Sequence, residues 1–128
     1  EGIAYNLRWI IENYEKDFGF RIKALEITGG GSRNQHWMQI FADVTRRVIH
    51  TTNQPKMAGA IGAAMCAFVG SGVFNDFDSV NKMISVSASY KPQAEHEEIY
   101  SLLFERYKDL YKSLKKVYIK ANHQRFNK

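Results

Sequence analysis

Apolar residues recur at helical spacing from the start of the chain, at Ile3, Leu7, Ile10, Ile11, Tyr14 and Phe18, and Gly19 follows as a stop. The pattern predicts an amphipathic first helix. Arg21 to Thr28 alternates loosely, with Ile22, Leu25 and Ile27 apolar, and reads as a strand that ends at three consecutive glycines, Gly29, Gly30 and Gly31. Asn34 suits the cap of a second helix whose apolar face is Trp37, Ile40, Phe41 and Val44. The β-branched run "RVIHTT", Arg47 to Thr52, predicts a second strand. Pro55 fits the first turn of a third helix over Met57 to Val69, which Gly70-Ser71-Gly72 terminates. A short helix over Asp76 to Met83 and a period-two strand over Ile84 to Tyr90 follow. Pro92 stops the strand, and a long last helix runs from Ala94 to about Asn122, with a stripe of Ile99, Leu103, Tyr107, Leu110, Leu114 and Val117. The order α-β-α-β-α-α-β-α predicts an α/β domain, a sheet flanked by helices, as a single segment over 1–128.

Composition narrows the class. The 128 residues suffice for one core, and 45% hydrophobic with 24% charged residues is ordinary for a globular domain. No apolar run approaches the ~18–20 residues that cross a bilayer, and Glu1-Gly2-Ile3 opens without the marks of a signal peptide. Cys66 is the single cysteine, which excludes a disulfide framework and argues against a thiolate metal cluster. The expected compartment is the cytoplasm, with no membrane partner. The net charge of +5 raises nucleic acid as a partner, but residues 106–128 carry eight lysines and arginines against Asp109 alone. The rest of the chain is therefore slightly acidic, and the excess belongs to one helix end, where cations suit the dipole as Glu95, Glu97 and Glu98 suit its start. That placement argues against a nucleic-acid surface, with Tyr107, Tyr111 and Tyr118 expected to pack inward.

The glycine turn is the candidate for chemistry. A strand, a glycine turn and a helix start together offer unpaired N–H groups and a backbone free of side chains, which suits a phosphate or a nucleotide base. It is neither a Walker loop nor GxGxxG, and a tight turn without a ligand explains it equally well. Asn34 has an amide able to donate and accept, as reading a purine edge requires, and can also simply cap the helix. Trp37 is expected in the core. The run "MAGAIGAAMCAFVGSG" is poor in helix propensity, Gly59 and Gly62 each costing about 1 kcal/mol against Ala. Close helix–sheet packing, with Cys66 buried, is the expected reason. His36, His50, His96 and His123 lack metal-ligand spacing, and Arg46-Arg47 is accounted for by a helix end.

"TGGGSRNQHWMQIFADVTRRVI" followed by "AGAIGAAMCAFVGSGVF", then "YKP" and a long helix, resembles the C-terminal part of the FGGY carbohydrate kinases, especially xylulokinase-like members. The resemblance runs from about Ile3 to Tyr118. It implies an actin-like ATPase fold with a ribonuclease-H-like core, of which residues 1–128 are the latter part of the second domain. It implies that Gly30, Gly31 and Asn34 contact the adenosine of ATP, with Gly29 and Ser32 shaping the turn. The sugar pocket, the catalytic aspartate and the first phosphate loop would lie upstream, so no catalytic residue is assigned here. Asp17, Asp43, Asp76, Asp78 and Asp109 stand in no matching motif and read as surface carboxylates. Magnesium would be held mainly outside this chain, and the missing N-terminal domain, ATP or ADP and a sugar would be the partners, with a homodimer left open. Met57 stands where relatives often place an acidic residue, which leaves the sugar open. The rival reading is a non-catalytic interaction domain whose basic C-terminal helix meets an acidic partner or RNA.

Overall fold

Helices and strands follow one another in the expected order: α1 (Gly2–Phe18), β1 (Ala24–Ile27), α2 (Gln35–Thr45), β2 (Val48–Thr52), α3 (Ala58–Gly70), α4 (Phe77–Asn81), β3 (Val86–Tyr90) and α5 (Glu97–Phe126). The computed structural model describes the backbone of residues 1–81 and 84–126, and the side chains of all of these but 80, 81 and 123–126. The expected end of the fourth helix at Met83 lies outside the described residues. Single 3-10 turns at Gly30–Arg33, Pro55–Met57 and Ala94–His96 lead into α2, α3 and α5. Gly19 ends α1 in the left-handed conformation, φ 72°.

The sheet has the order β1-β2-β3. β1 and β2 are parallel, pairing Leu25 with Ile49 and Ile27 with Thr51, and β2 and β3 are antiparallel, pairing Ile49 with Tyr90. A parallel pair needs a crossover element, and α2 supplies it. Leu25, Ile27 and Ile49 share one face of the sheet by strand alternation. Against that face lies the core of Ala4, Tyr5, Met38, Phe41, Ala42, Val44, Ile49 and Phe104, with Trp37 and Ile40 partly buried at its edge.

The helix faces differ from those that periodicity suggests. On α1 the buried side chains are Ala4, Tyr5 and Ile11, while Ile3, Ile10, Tyr14 and Phe18 are exposed. On α5 Phe104 is the buried centre, and Ile99, Leu110 and Val117 are exposed. Aromatic packing sets this rotation. Tyr5 stacks on Phe104 with centroids 6.4 Å apart and lies 5.7 Å from Tyr107, and Trp9 meets Tyr111 edge-on at 5.1 Å. The Arg8 guanidinium lies 4.3 Å above the Phe104 ring. These large rings bury more area than an aliphatic stripe and so decide which side faces in. The Tyr5 hydroxyl is buried without a partner among the described residues, and burial, with Glu1 nearby, pushes its pKa up to about 12.

Polar side chains fasten the layers. Asp43 is buried and accepts hydrogen bonds from Gln39 Nε2 at 2.9 Å, the Gln93 backbone N–H at 2.8 Å and His96 Nδ1 at 2.8 Å. It is a structural hub joining α2 to the start of α5, not the surface carboxylate expected. Arg47 is likewise buried, its Nη2 2.7 Å from both Glu15 carboxylate oxygens. That guanidinium holds the Glu15 carboxyl below its usual pKa. Arg46 caps α2 at φ 58° and pairs with Glu97, so Arg46-Arg47 does more than answer a helix dipole.

The small-residue helix α3 corrects the sequence expectation. None of its residues is buried, Cys66 is exposed, and a Cβ added to Gly59 or Gly62 would meet nothing within 4 Å. Among the described residues no element packs tightly on it, so tight packing here is not the reason for its glycines.

Candidate functional site

The glycine turn leaves the end of β1 as a 3-10 turn, Gly30–Arg33, that delivers the chain into α2. Its three glycines have three different reasons. Gly29 sits at φ 92°, ψ −179°, a region essentially closed to residues with a side chain. Its N–H donates to the Pro55 carbonyl at 2.8 Å, tying this turn to the one before α3. Its own carbonyl accepts the Ser32 hydroxyl at 2.8 Å, and Ser32 is buried under the turn. Gly31 is required by packing, since a Cβ there would stand 2.5 Å from Cζ3 of the Trp37 indole. Gly30 has neither constraint: its φ is not positive and a Cβ would meet nothing within 4 Å.

Asn34 is the N-cap of α2, its Oδ1 accepting from the Trp37 N–H at 3.1 Å. The acceptor half of the amide is thereby engaged, and the exposed Nδ2 remains to donate. The structure thus brings Gly29, Gly30, Gly31, Ser32 and Asn34 into one surface turn, with Gly30 and Asn34 open to solvent and Ser32 beneath. Trp37 is half-buried on the core edge, 5.3 Å from Phe41, and also walls the turn behind Gly31.

A cavity of about 380 Å³ opens beside this turn, between α3 and the face of the sheet opposite the core. Thr28, Asn53 and Gln54 at the strand ends and Glu26 form its polar floor, and Ile61, Met65 and Phe68 its apolar roof. None of the five residues named for the turn lines it. Its polar residues were missed in the sequence, although Thr28, Asn53 and Gln54 directly follow β1 and β2. The carboxyl ends of strands are where open α/β sheets place ligands. Asn53 is further fixed by donating to Ser85.

Some of the other charged groups pair with one another. Arg8 bonds Glu12 at 2.8 Å in a cleft that also holds Arg47 and Glu15, and Lys108 and Lys112 on α5 pair with Glu105 and Asp109. Tyr107 packs inward as expected, whereas Tyr111 and Tyr118 are about half exposed. His50 Nδ1 lies 2.8 Å from the Ser89 hydroxyl. Among the described residues no three His, Cys, Asp or Glu gather where a metal ion could be held, and no helix is long and apolar enough to cross a membrane.

Comparison with known proteins supplies what the geometry alone leaves general. The model of the FGGY family of carbohydrate kinases, C-terminal domain, matches residues 1–71. The chain is 34% identical over 113 residues to the xylulose kinase of Bacillus subtilis (strain 168), covering 87% of this chain and 22% of that protein. It is 31% identical to the glycerol kinase of Mycoplasmopsis pulmonis (strain UAB CTIP), covering 80% of this chain and 20% of the relative. The chain therefore spans about a fifth of the length of these curated relatives. The crystal structure of ligand-bound xylulose kinase from Lactobacillus acidophilus superposes with a TM-score of 0.80 at 23% identity, over 92% of this chain and 24% of the other. That likeness is one of fold, and it agrees with the actin-like α/β class anticipated from the motifs. With more than half of its residues matched by the family model, the chain belongs to the FGGY family of carbohydrate kinases, whose C-terminal domain it represents.

Proposed function

We propose that this chain supplies the adenosine-binding part of an ATP-dependent kinase that phosphorylates a hydroxyl of a ketose or polyol. The observation that carries the reading is Gly30. Gly29 is explained by its backbone and Gly31 by Trp37, but nothing among the described residues demands a missing side chain at Gly30. A bare Cα facing open space beside the free Nδ2 of Asn34 is what a flat, acceptor-edged base needs in order to approach a helix start. Related proteins named for xylulose and for glycerol support a sugar or polyol acceptor.

In phosphoryl transfer catalysis is mostly positioning and charge stabilisation. The contribution of this chain is to hold one end of the nucleotide so that the far end lies in line with the acceptor. Gly29 and Ser32 keep the turn in shape, Gly31 seats Trp37 behind it, and Asn34 orients the bound edge. Magnesium neutralises charge on the phosphates when bound, and no residue here is assigned to it. The catalytic base and sugar pocket belong to the rest of the parent enzyme, so the isolated chain is expected to release no ADP in response to a sugar. Closure of the parent's domains over this surface would exclude water from the transfer.

The test is steady-state kinetics of the parent enzyme carrying Gly30→Val or Asn34→Asp. Gly30→Val is expected to raise KM for ATP about tenfold or more, with KM for the sugar and the melting temperature unchanged. Asn34→Asp keeps the cap acceptor but loses the donor, and should act in the same direction more mildly, within the ~1–3 kcal/mol of a lost polar contact. Unchanged KM for ATP in both folded variants would reduce the glycine turn to a turn.

A further inference from the structure

We infer that the arginine-lined cleft between α1 and the end of α2 is a binding site for a small phosphate-bearing ligand, separate from the glycine turn. The cleft lies at the amino ends of the parallel strands, where Arg21 leads toward β1 and Arg46-Arg47 into β2. The glycine turn leaves β1 at its carboxyl end, so the length of β1, about 13 Å for its four residues, separates the two places. The inference therefore stands whether or not the glycine turn receives adenosine.

The kind of side chain points to the ligand. The cleft encloses about 450 Å³, within the ~300–1,000 Å³ of small-molecule sites. Arg8, Arg21, Arg46 and Arg47 line it with Glu12 and Glu15, and among the described residues no aromatic or aliphatic side chain joins them. A nucleoside or a lipid chain would find no apolar wall there. Four of the seven arginines of the chain line the cleft and none of its eleven lysines. A planar guanidinium fork meets two oxygens of one phosphate at once, which a lysine cannot do.

The glutamates leave that capacity open. Glu15 is held by Arg47, whose Nη2 lies 2.7 Å from both its oxygens, and by the Ile22 N–H at 2.8 Å. Glu12 is held by Arg8 Nε at 2.8 Å, and Glu97 answers Arg46 from outside the lining. Arg21 is left over, exposed and without an ion-pair partner among the described residues. Arg47 adds a second demand. It is only 8% exposed, and its buried Nε has no partner among the described residues. A buried donor without an acceptor is costly, and a phosphate oxygen seated against Arg47 supplies one. A cleft with an excess of one charge also concentrates counter-ions.

The test is titration calorimetry of the parent enzyme with inorganic phosphate, at ionic strength held constant with chloride. A non-hydrolysable ATP analogue fills the nucleotide site throughout. Binding in the millimolar range or tighter is expected. Arg21→Gln and Arg46→Gln, which alter exposed side chains, should each weaken it about tenfold or more with the melting temperature unchanged. Phosphate should also slow the modification of Arg21 by phenylglyoxal, read by mass spectrometry of its peptide. Methyl phosphate as a second probe separates the sources: comparable affinity shows that the site admits a phosphate monoester, and its exclusion identifies the free ion. Absence of binding at millimolar phosphate overturns the inference. Binding that both variants leave unchanged, or that the ATP analogue abolishes, overturns it by placing the phosphate elsewhere.

Discussion

Gly31→Ala in the parent enzyme separates packing from ligand approach. An ideal Cβ at Gly31 stands 2.5 Å from Trp37 Cζ3 and 3.2 Å from Cε3. Carbon atoms rest at ~3.5–4.0 Å, so the indole must retreat by about 1 Å. On its inner side lie Phe41, 5.3 Å away between ring centroids, and the buried core. Retreat inward overpacks that core at a cost of about 1–3 kcal/mol, and because Trp37 is only half-buried it can partly swing outward, which favours the lower half of that range. Gly30→Ala is the matched control. It meets nothing within 4 Å, and its smaller unfolded-state entropy should leave stability equal or up to about 1 kcal/mol higher. Differential scanning calorimetry of both variants, with near-ultraviolet circular dichroism to follow the indole, reads the contrast. The expected result is a lowered melting temperature and altered aromatic signal for Gly31→Ala, and neither for Gly30→Ala. Equal melting temperatures for Gly31→Ala and the unaltered enzyme would refute the assignment of Gly31 to Trp37. That outcome does not depend on which ligand the turn receives.

Two further outcomes follow from the polar and aromatic groups of the core. Asp43→Ala strands three donors that converge on one buried carboxylate, and should destabilise by about 3 kcal/mol or more, with Asp43→Asn intermediate because it keeps an acceptor; a chemical-denaturation midpoint unmoved by Asp43→Ala would contradict the hub. Tyr5 titrates at about 12 in the folded chain against 10 when unfolded, so its contribution is complete below pH 10 and is lost as pH rises toward 12, by up to about tenfold in the folding equilibrium per pH unit. Tyr5→Phe should remove that alkaline loss and, by deleting an unpartnered buried hydroxyl, raise the melting temperature at neutral pH; an alkaline unfolding midpoint identical in both proteins would speak against it.

Local chemistry made much of this protein legible in its sequence. Element order, the α/β class, the glycine stop of α1 and the Asn34 cap all follow from rules that act within a few residues: propensity, period and the unpaired groups of a helix end. The family, too, was legible in contiguous motifs: the match over residues 1–71 covers the glycine-turn motif and most of the small-residue motif, while "YKP" and the last helix lie beyond it. Helix faces were not legible, because a period fixes the spacing of apolar residues but not which of two apolar sides turns inward. On α1 and α5 that choice fell to rings meeting across helices, Tyr5, Trp9, Phe104 and Tyr107. Asp43 read as a surface carboxylate for the same reason, since two of its three partners lie 50 and 53 residues away. The three glycines look equivalent in sequence, and only the tertiary structure divides them. Gly29 is set by its backbone torsions, Gly31 by an indole six residues on, and Gly30 by nothing among the described residues. The small side chains of α3 were equally plain to read, but the close packing they suggested is absent among the described residues, because the sheet and α3 stand apart across a cavity.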